Sequence, residues 1–115
     1  MKITDVNERA SKGYDNKKEC RVVNLRKERY DVYIGRGSKW GNPFQMANHT
    51  EEERNRVCDE YEKYFWSIGL YKYIDELKGK TLGCFCKPKR CHGDFLAKVA
   101  NGEINIEEYL KSHLL

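Results

Sequence analysis

The chain has 115 residues, which suffices for one domain with its own hydrophobic core and is too short for two. Its 22 Lys and Arg against 18 Asp and Glu give a net charge of +4, which permits an anionic partner without demanding one. With 39% hydrophobic residues but no long apolar run, the sequence excludes a disordered chain and a transmembrane helix, and no membrane partner is expected.

The cysteine content indicates the redox environment. Five cysteines are an odd number, and residues 1–20 hold no apolar segment of the kind that directs secretion. A disulfide framework is therefore not expected, and the sequence predicts a cytoplasmic protein whose thiols are reduced.

The first half of the chain predicts strands followed by a loop. A short strand is expected at 2–6, and two further strands at 21–25 and 30–35, where apolar and polar residues alternate. The charged segment between the last two strands is consistent with a hairpin or a tight turn. Residues 36–44 are dense in Gly, Ser, Asn and Pro, so they are predicted to form a loop.

The middle of the chain predicts two helices. Thr50 and Glu53 fit a capping box that begins a helix, and Gly69 ends it. The apolar residues between them keep helical spacing, which predicts one buried face. A shorter helix is expected over 70–78.

The last third predicts a strand, a basic loop and two helices. The buried strand is expected at 80–86 and the loop at 87–93. Asp94 is expected to be the N-cap of a helix that ends at residue 100, and Asn105 begins the final helix. This order predicts a single small α/β domain with a short, mostly parallel sheet flanked by helices, Rossmann-like in character.

The loop RGSKWGNPF is the first candidate ligand site. Arg36 and Lys39 supply donors for an anion, Ser38 and Asn42 supply neutral hydrogen bonds, and Trp40 offers a stacking face. This set suits a nucleotide, although the spacing matches neither a Walker nor a dinucleotide-binding motif. The alternative is a tight turn whose aromatic rings close the core.

The segment CFCKPKRCHGD is the second candidate site. Cys84, Cys86, Cys91 and His92 are the donor types of a structural zinc site. Their spacing argues against it, because two of the donors are adjacent in sequence, whereas zinc ligands usually come in two separated pairs. No cofactor is predicted, and zinc is kept as the alternative.

The same segment has a second interpretation, as an anion site before a helix N-terminus. There the helix dipole and the neighbouring Lys87 and Arg90 would favour a thiolate and bind an anion near Asp94. Cys91 and His92 are then the candidates for catalysis. A third interpretation is a basic loop that only caps the helix.

Together the two motifs resemble a known family. YDVYIGRGSKWGNPF over 30–44 and LGCFCKPKRCHGDFLA over 82–97 are similar to the signatures of domain of unknown function 4326, found in phages and bacteria. The resemblance runs from about residue 21 to 101, which makes residues 1–20 an N-terminal extension and 103–115 a C-terminal helix. It implies a compact α/β domain and a phage-like source, hence a host cytoplasm, but no activity.

The sequence therefore predicts binding, with processing left open, of a nucleotide or a nucleotide-derived small molecule. The site would be built from the loops 36–44 and 87–94, which would meet at the carboxyl edge of the sheet. The alternative function is a zinc-stabilised module that binds nucleic acid or acts as an adaptor, because the Cys and His cluster lies beside basic residues.

Overall fold

Three short parallel strands form the sheet around which the domain is built. A computed structural model describes residues 19–114, so the strand predicted at 2–6 lies outside the described residues. The strands are β1 (Arg21–Asn24), β2 (Val32–Tyr33) and β3 (Thr81–Cys84). Their order is β1-β3-β2, and both outer strands pair with β3 in parallel. The last strand in sequence is therefore the central one.

Four helices surround this sheet, as predicted. They are α1 (Glu51–Ser67), a 3₁₀ helix (Leu70–Leu77), α2 (His92–Ala100) and α3 (Ile106–Leu114). The small α/β domain with a parallel sheet is confirmed. No helix in the described range 19–114 is long and apolar enough to cross a membrane.

Of the two alternatives predicted for the link between β1 and β2, the hairpin is wrong, whereas a turn does follow β1, where the Lys27 N–H donates to the Asn24 carbonyl at 2.9 Å. Parallel strands need a crossover connection, and β1 and β2 both run parallel to β3. The Leu25 N–H donates to the Cys84 carbonyl at one end of β3, and the Asp31 N–H donates to the Thr81 carbonyl at the other end. The short segment between them therefore returns along the length of β3.

This crossover passes very close to the central strand. A Cβ on Gly83 would lie 2.6 Å from Cγ of Tyr30 and 3.0 Å from its Cβ, so only glycine leaves room for the ring. The amino end of α2 approaches the sheet just as closely, because a Cβ on Gly93 would lie 2.6 Å from the side chain of Ile34. Two glycines thus permit the close packing of chain on sheet.

The hydrophobic core lies between the sheet, α1 and α2. Its fully buried side chains come from all of these elements and from the 3₁₀ helix: Ile34, Tyr61, Phe65, Leu77, Leu82, Cys84 and Leu96. On α1 the buried residues are Val57, Cys58, Tyr61, Phe65 and Trp66, whose spacings of one, three and four positions place them on one face, as the periodicity of the sequence predicts.

The helix starts follow the predicted caps at two of three positions. The hydroxyl of Thr50 accepts from the Glu53 N–H at 3.2 Å and begins α1, and Asn105 caps α3. The N-cap of α2, however, is Cys91 and not Asp94. The Asp94 carboxylate instead accepts from the Cys91 N–H at 3.1 Å, because it occupies the third helical position of a capping box.

The substitution Gly83→Ala should destabilise the domain by about 1–3 kcal/mol, because the added methyl group overlaps the ring of Tyr30. In an open strand the same change would stabilise. Urea unfolding of the variant measures the cost. The matched test is the same substitution in a Tyr30→Ala background, where the cost should shrink. An equal cost in both backgrounds would show that the crossover does not pack on Gly83.

Candidate functional site

The carboxyl ends of the three strands meet at one edge of the sheet, and both motif loops start there. The side chain of Asn24, at the end of β1, donates to the Lys87 carbonyl at 2.8 Å. Nε2 of His92 lies 2.8 Å from the Ile34 carbonyl, just after β2. The two loops together line a cavity of about 390 Å³, which we name the motif cavity.

Four cysteines line the motif cavity: Cys58 of α1, which is buried, and Cys84, Cys86 and Cys91 of the second motif. Cys84 ends β3 and Cys91 caps α2, and their side chains are only 1% and 2% exposed. Cys86 follows β3 and is half-buried, so it is the most accessible of the three. Of the three thiols of this motif, only that of Cys86 is therefore accessible from the cavity, whereas those of Cys84 and Cys91 are buried.

The three thiols strongly affect one another. Hydrogen bonding from the side chains of Cys84 and Cys91, together with the positive charge of Arg54, lowers the pKa of Cys86. The pKa of Cys91 is raised by the side chains of Cys84 and Cys86 and by burial. The sequence predicted an easily ionised Cys91. The Gly93 N–H does point at its sulfur from 3.4 Å, whereas the neighbouring thiols and burial act in the opposite direction and raise its pKa.

His92 is held in one tautomer. Its side chain is 7% exposed, and its Nε2 can only donate to the Ile34 carbonyl. Nδ1 then carries the lone pair and lies 3.6 Å from Sγ of Cys91. Burial lowers the pKa of His92, so the ring is neutral at neutral pH.

The geometry does not support the zinc alternative. Within residues 19–114 no group of three or more His, Cys, Asp or Glu side chains is arranged to hold a metal ion. One nitrogen of His92 is taken by a carbonyl group, which leaves only the nitrogen that faces Cys91.

Lys87 and Arg90 of the basic loop form ion pairs with carboxylates of the same protein. Lys87 and Asp94 form an ion pair at 2.8 Å. Arg90 contacts Asp59 at 2.9 Å and Glu62 at 3.3 Å, although its side chain also lines the motif cavity. All three predicted ligand residues of this loop are therefore already paired.

Trp40 and Asn42 hold the other motif loop in place. Trp40 is 3% exposed, and its carbonyl accepts from the Tyr61 hydroxyl at 2.8 Å. The prediction of a stacking face at Trp40 was wrong, because the ring completes the core. The amide of Asn42 donates to the Val57 carbonyl and accepts from the Phe44 N–H, both at 2.9 Å.

Ser38 and Lys39 lie outside the motif cavity, whereas Arg36 lines it. The Ser38 hydroxyl donates to the Gly35 carbonyl at 2.7 Å and closes the turn. Lys39 pairs with Glu76 at 2.8 Å. Arg36 is exposed, and its side chain makes no ion pair with any residue that the structure describes.

Arg54 and Phe85 are two of the cavity-lining residues that sequence reasoning missed. Arg54 precedes Val57 and Cys58 by three and four positions on α1, so it belongs to the buried stripe of the helix. A charge on an apolar stripe is the signal that could have found it. Phe85 alternates with two cysteines, which explains why it is 52% exposed while Cys84 is buried. It also borders the cavity, and Arg26 lies 5.1 Å over its ring.

Comparison with known proteins identifies the family. The chain belongs to the family described as Domain of unknown function (DUF4326), whose model matches residues 17–102. It is 39% identical over 87 residues to an uncharacterized 12.4 kDa protein in the nrdA-td intergenic region of Enterobacteria phage T4, covering 71% of this chain and 78% of that protein. It is 44% identical over 66 residues to the uncharacterized protein R718 of Acanthamoeba polyphaga mimivirus, covering 49% of each. No solved structure matches.

The burial of His92 should make stability depend on pH. Its folded pKa is lowered, so the unfolded chain binds more protons below about pH 6.5, and stability should fall between about pH 7 and pH 5. His92→Gln should remove this contribution, at most about 1.4 kcal/mol per pH unit. Urea unfolding across that range measures the slope.

The matched control for this experiment is His113→Gln, at an exposed histidine on α3, which should keep the wild-type slope. Both variants retain all cysteines, so the thiol contributions cancel in the comparison. An unchanged slope in His92→Gln would contradict the buried neutral imidazole.

Proposed function

We propose that this member of the family binds a nucleotide-derived, anionic small molecule in the motif cavity. The observation that carries the proposal is the charge of the cavity wall. Arg36, Arg54 and Arg90 line it, and none of the described lining residues is Asp or Glu. A cavity with cationic walls and a carboxyl-edge position favours phosphate groups, which arginine binds with paired hydrogen bonds.

The three arginines differ in how much of their charge is available. Arg90 faces two carboxylates, so its charge is largely balanced. Arg54 is half-buried, and its guanidinium makes a long contact of 3.4 Å with the Arg90 carbonyl. Arg36 is exposed and has no ion-pair partner among residues 19–114. We assign the phosphate groups to Arg36 and Arg54.

Phe85 takes the stacking role that the sequence had suggested for Trp40. Phe85 is half-exposed and lines the motif cavity; its ring meets Tyr33 edge-on at 6.4 Å and has Arg26 over it at 5.1 Å. An aromatic side chain of this kind suits the flat face of a nucleobase, and such stacking contributes about 1–3 kcal/mol per base.

The size of the cavity favours a small molecule over a nucleic acid. About 390 Å³ lies within the range of ~300–1,000 Å³ typical of small-molecule sites. A nucleic-acid module would need a row of available cations, whereas Lys87 and Arg90 of the basic loop are ion-paired. The relatives in phage T4 and mimivirus fit a protein that works in the cytoplasm of an infected host.

Calorimetric titration of the full chain with nucleoside mono-, di- and triphosphates and dinucleotides tests the proposal. We expect at least one to bind with a Kd below the millimolar range. Arg36→Ala should raise that Kd at least about tenfold, because a charged hydrogen bond is worth about 1.5–3 kcal/mol.

The matched control is Arg21→Ala. Arg21 begins β1 and so lies at the opposite edge of the sheet, where its guanidinium pairs with Glu28. This variant should bind like the wild type. The proposal fails if no nucleotide binds with a Kd below the millimolar range, or if both variants weaken binding equally.

Phe85→Ala tests the stacking role separately. The wild type should bind a nucleotide more tightly than ribose phosphate, which lacks the base, by about tenfold or more. In Phe85→Ala that preference should disappear while ribose phosphate binds as before. Calorimetry of both ligands on both proteins measures the difference, and a preference that survives in the variant would rule out Phe85 as the platform.

A further inference from the structure

The cysteine cluster has a chemistry that ligand binding does not use. Cys84, Cys86 and Cys91 line one cavity with Arg54, and His92 turns an unprotonated nitrogen toward Cys91. We propose that Cys86 and Cys91 form a dithiol centre that reduces a low-molecular-weight disulfide. This activity goes beyond the proposed binding function and requires only that the disulfide enters the motif cavity.

Cys86 is the attacking thiol in this proposal. It is the only one of the three that is half-buried and not sealed in the core, so an incoming disulfide can reach its sulfur. The neighbouring Arg54 and the two thiols behind it stabilise negative charge on that sulfur. A partly exposed thiol in a positive environment is the usual setting of a reactive cysteine.

The first step is exchange at Cys86. Its thiolate attacks one sulfur of the substrate disulfide, a new S–S bond forms between Cys86 and that half, and the substrate S–S bond breaks. The other half leaves as a thiolate, so the negative charge passes from Cys86 to the leaving group. At this stage one half of the substrate is held on Cys86 as a mixed disulfide, and the other half has been released.

Cys91 completes the reaction with His92 as the base. Cys86 carries no negative charge once it is in the mixed disulfide, so it no longer opposes ionisation of Cys91. Nδ1 of His92, held free of hydrogen by the bond from Nε2 to the Ile34 carbonyl, then accepts the Cys91 proton across 3.6 Å. The Cys91 thiolate then attacks the Cys86 sulfur, the mixed disulfide breaks, and the second half leaves and takes the proton from His92. The substrate disulfide gains two electrons, and the protein thiols lose them as they form a disulfide between Cys86 and Cys91.

The remaining cysteines do not suit this chemistry. Cys20 is 3% exposed, and burial raises its pKa to about 11. Cys58 is buried in α1, and burial also raises its pKa. Cys84 is 1% exposed at the end of β3, and among residues 19–114 the hydrogen bond between a cysteine and a histidine is made by Cys91.

The probe for the test is dithiobis(nitrobenzoic acid), an aromatic disulfide that releases a coloured thiolate. One equivalent of probe per reduced, full-length chain should release about two equivalents of thiolate in a fast phase, and peptide mapping should find a disulfide between Cys86 and Cys91. Cys91→Ser should release about one equivalent and keep a mixed disulfide on Cys86. Cys86→Ser should lose the fast phase, at least about tenfold in rate.

His92→Gln distinguishes the role of His92 as a base from its role in the structure. It should leave the first release unchanged and slow the second about tenfold, because only the second step needs a proton acceptor at Cys91. A structural role alone would affect both phases together. Cys20→Ala is the matched control, since its sulfur lies away from the motif cavity, and it should behave like the wild type.

The mapping of the wild type needs no variant and so does not depend on whether a variant folds. The proposal is overturned if the wild type releases only one equivalent, if the first label appears on a cysteine other than Cys86, or if the purified protein holds one zinc ion per chain that blocks the cluster. Nucleotide binding is measured on the reduced protein without the probe, so failure of this inference and failure of the proposed function are distinguishable.

Discussion

The hydrogen bond between His92 and the Ile34 carbonyl is the interaction on which the site depends. It joins the first turn of α2 to the end of β2, and so connects the two loops that carry the motifs. It also decides which nitrogen of the imidazole carries the hydrogen. Because Cys91 precedes His92 and caps the same helix, the same contact fixes where its thiol lies relative to Cys86 and the cavity.

The basic residues around this contact are of two kinds: some form ion pairs within the protein, and others are left to bind a ligand. The ion pairs of Lys87 and Arg90 hold the basic loop against α1 and the start of α2. Arg36 and Arg54 line the motif cavity without a carboxylate beside them in the described wall. Arg54 is shared by the two proposals, since it lines the cavity proposed to bind the anion and its positive charge acts on Cys86. Ligand binding and thiol reactivity are therefore expected to influence each other.

The roles within each motif were harder to predict than the motifs themselves. The sequence could show that RGSKWGNPF is a loop and that a Cys and His cluster follows a strand. It could not show that Trp40 is in the core while Phe85 is exposed, because that depends on which way each loop turns against α1. It missed Arg54, since residues of a distant helix join the site only through packing.

By itself the sequence determined the local structure: the helices, two of their three caps, and the strands. Caps and periodicity involve residues a few positions apart, so the pattern carries that information. The tertiary structure alone decided the pairing of β1 and β2 with β3, the burial of Trp40, and which cysteine of the second motif stays accessible. Each of these depends on groups far apart in the chain, and the free energies of burial and of charge are set by where such groups meet.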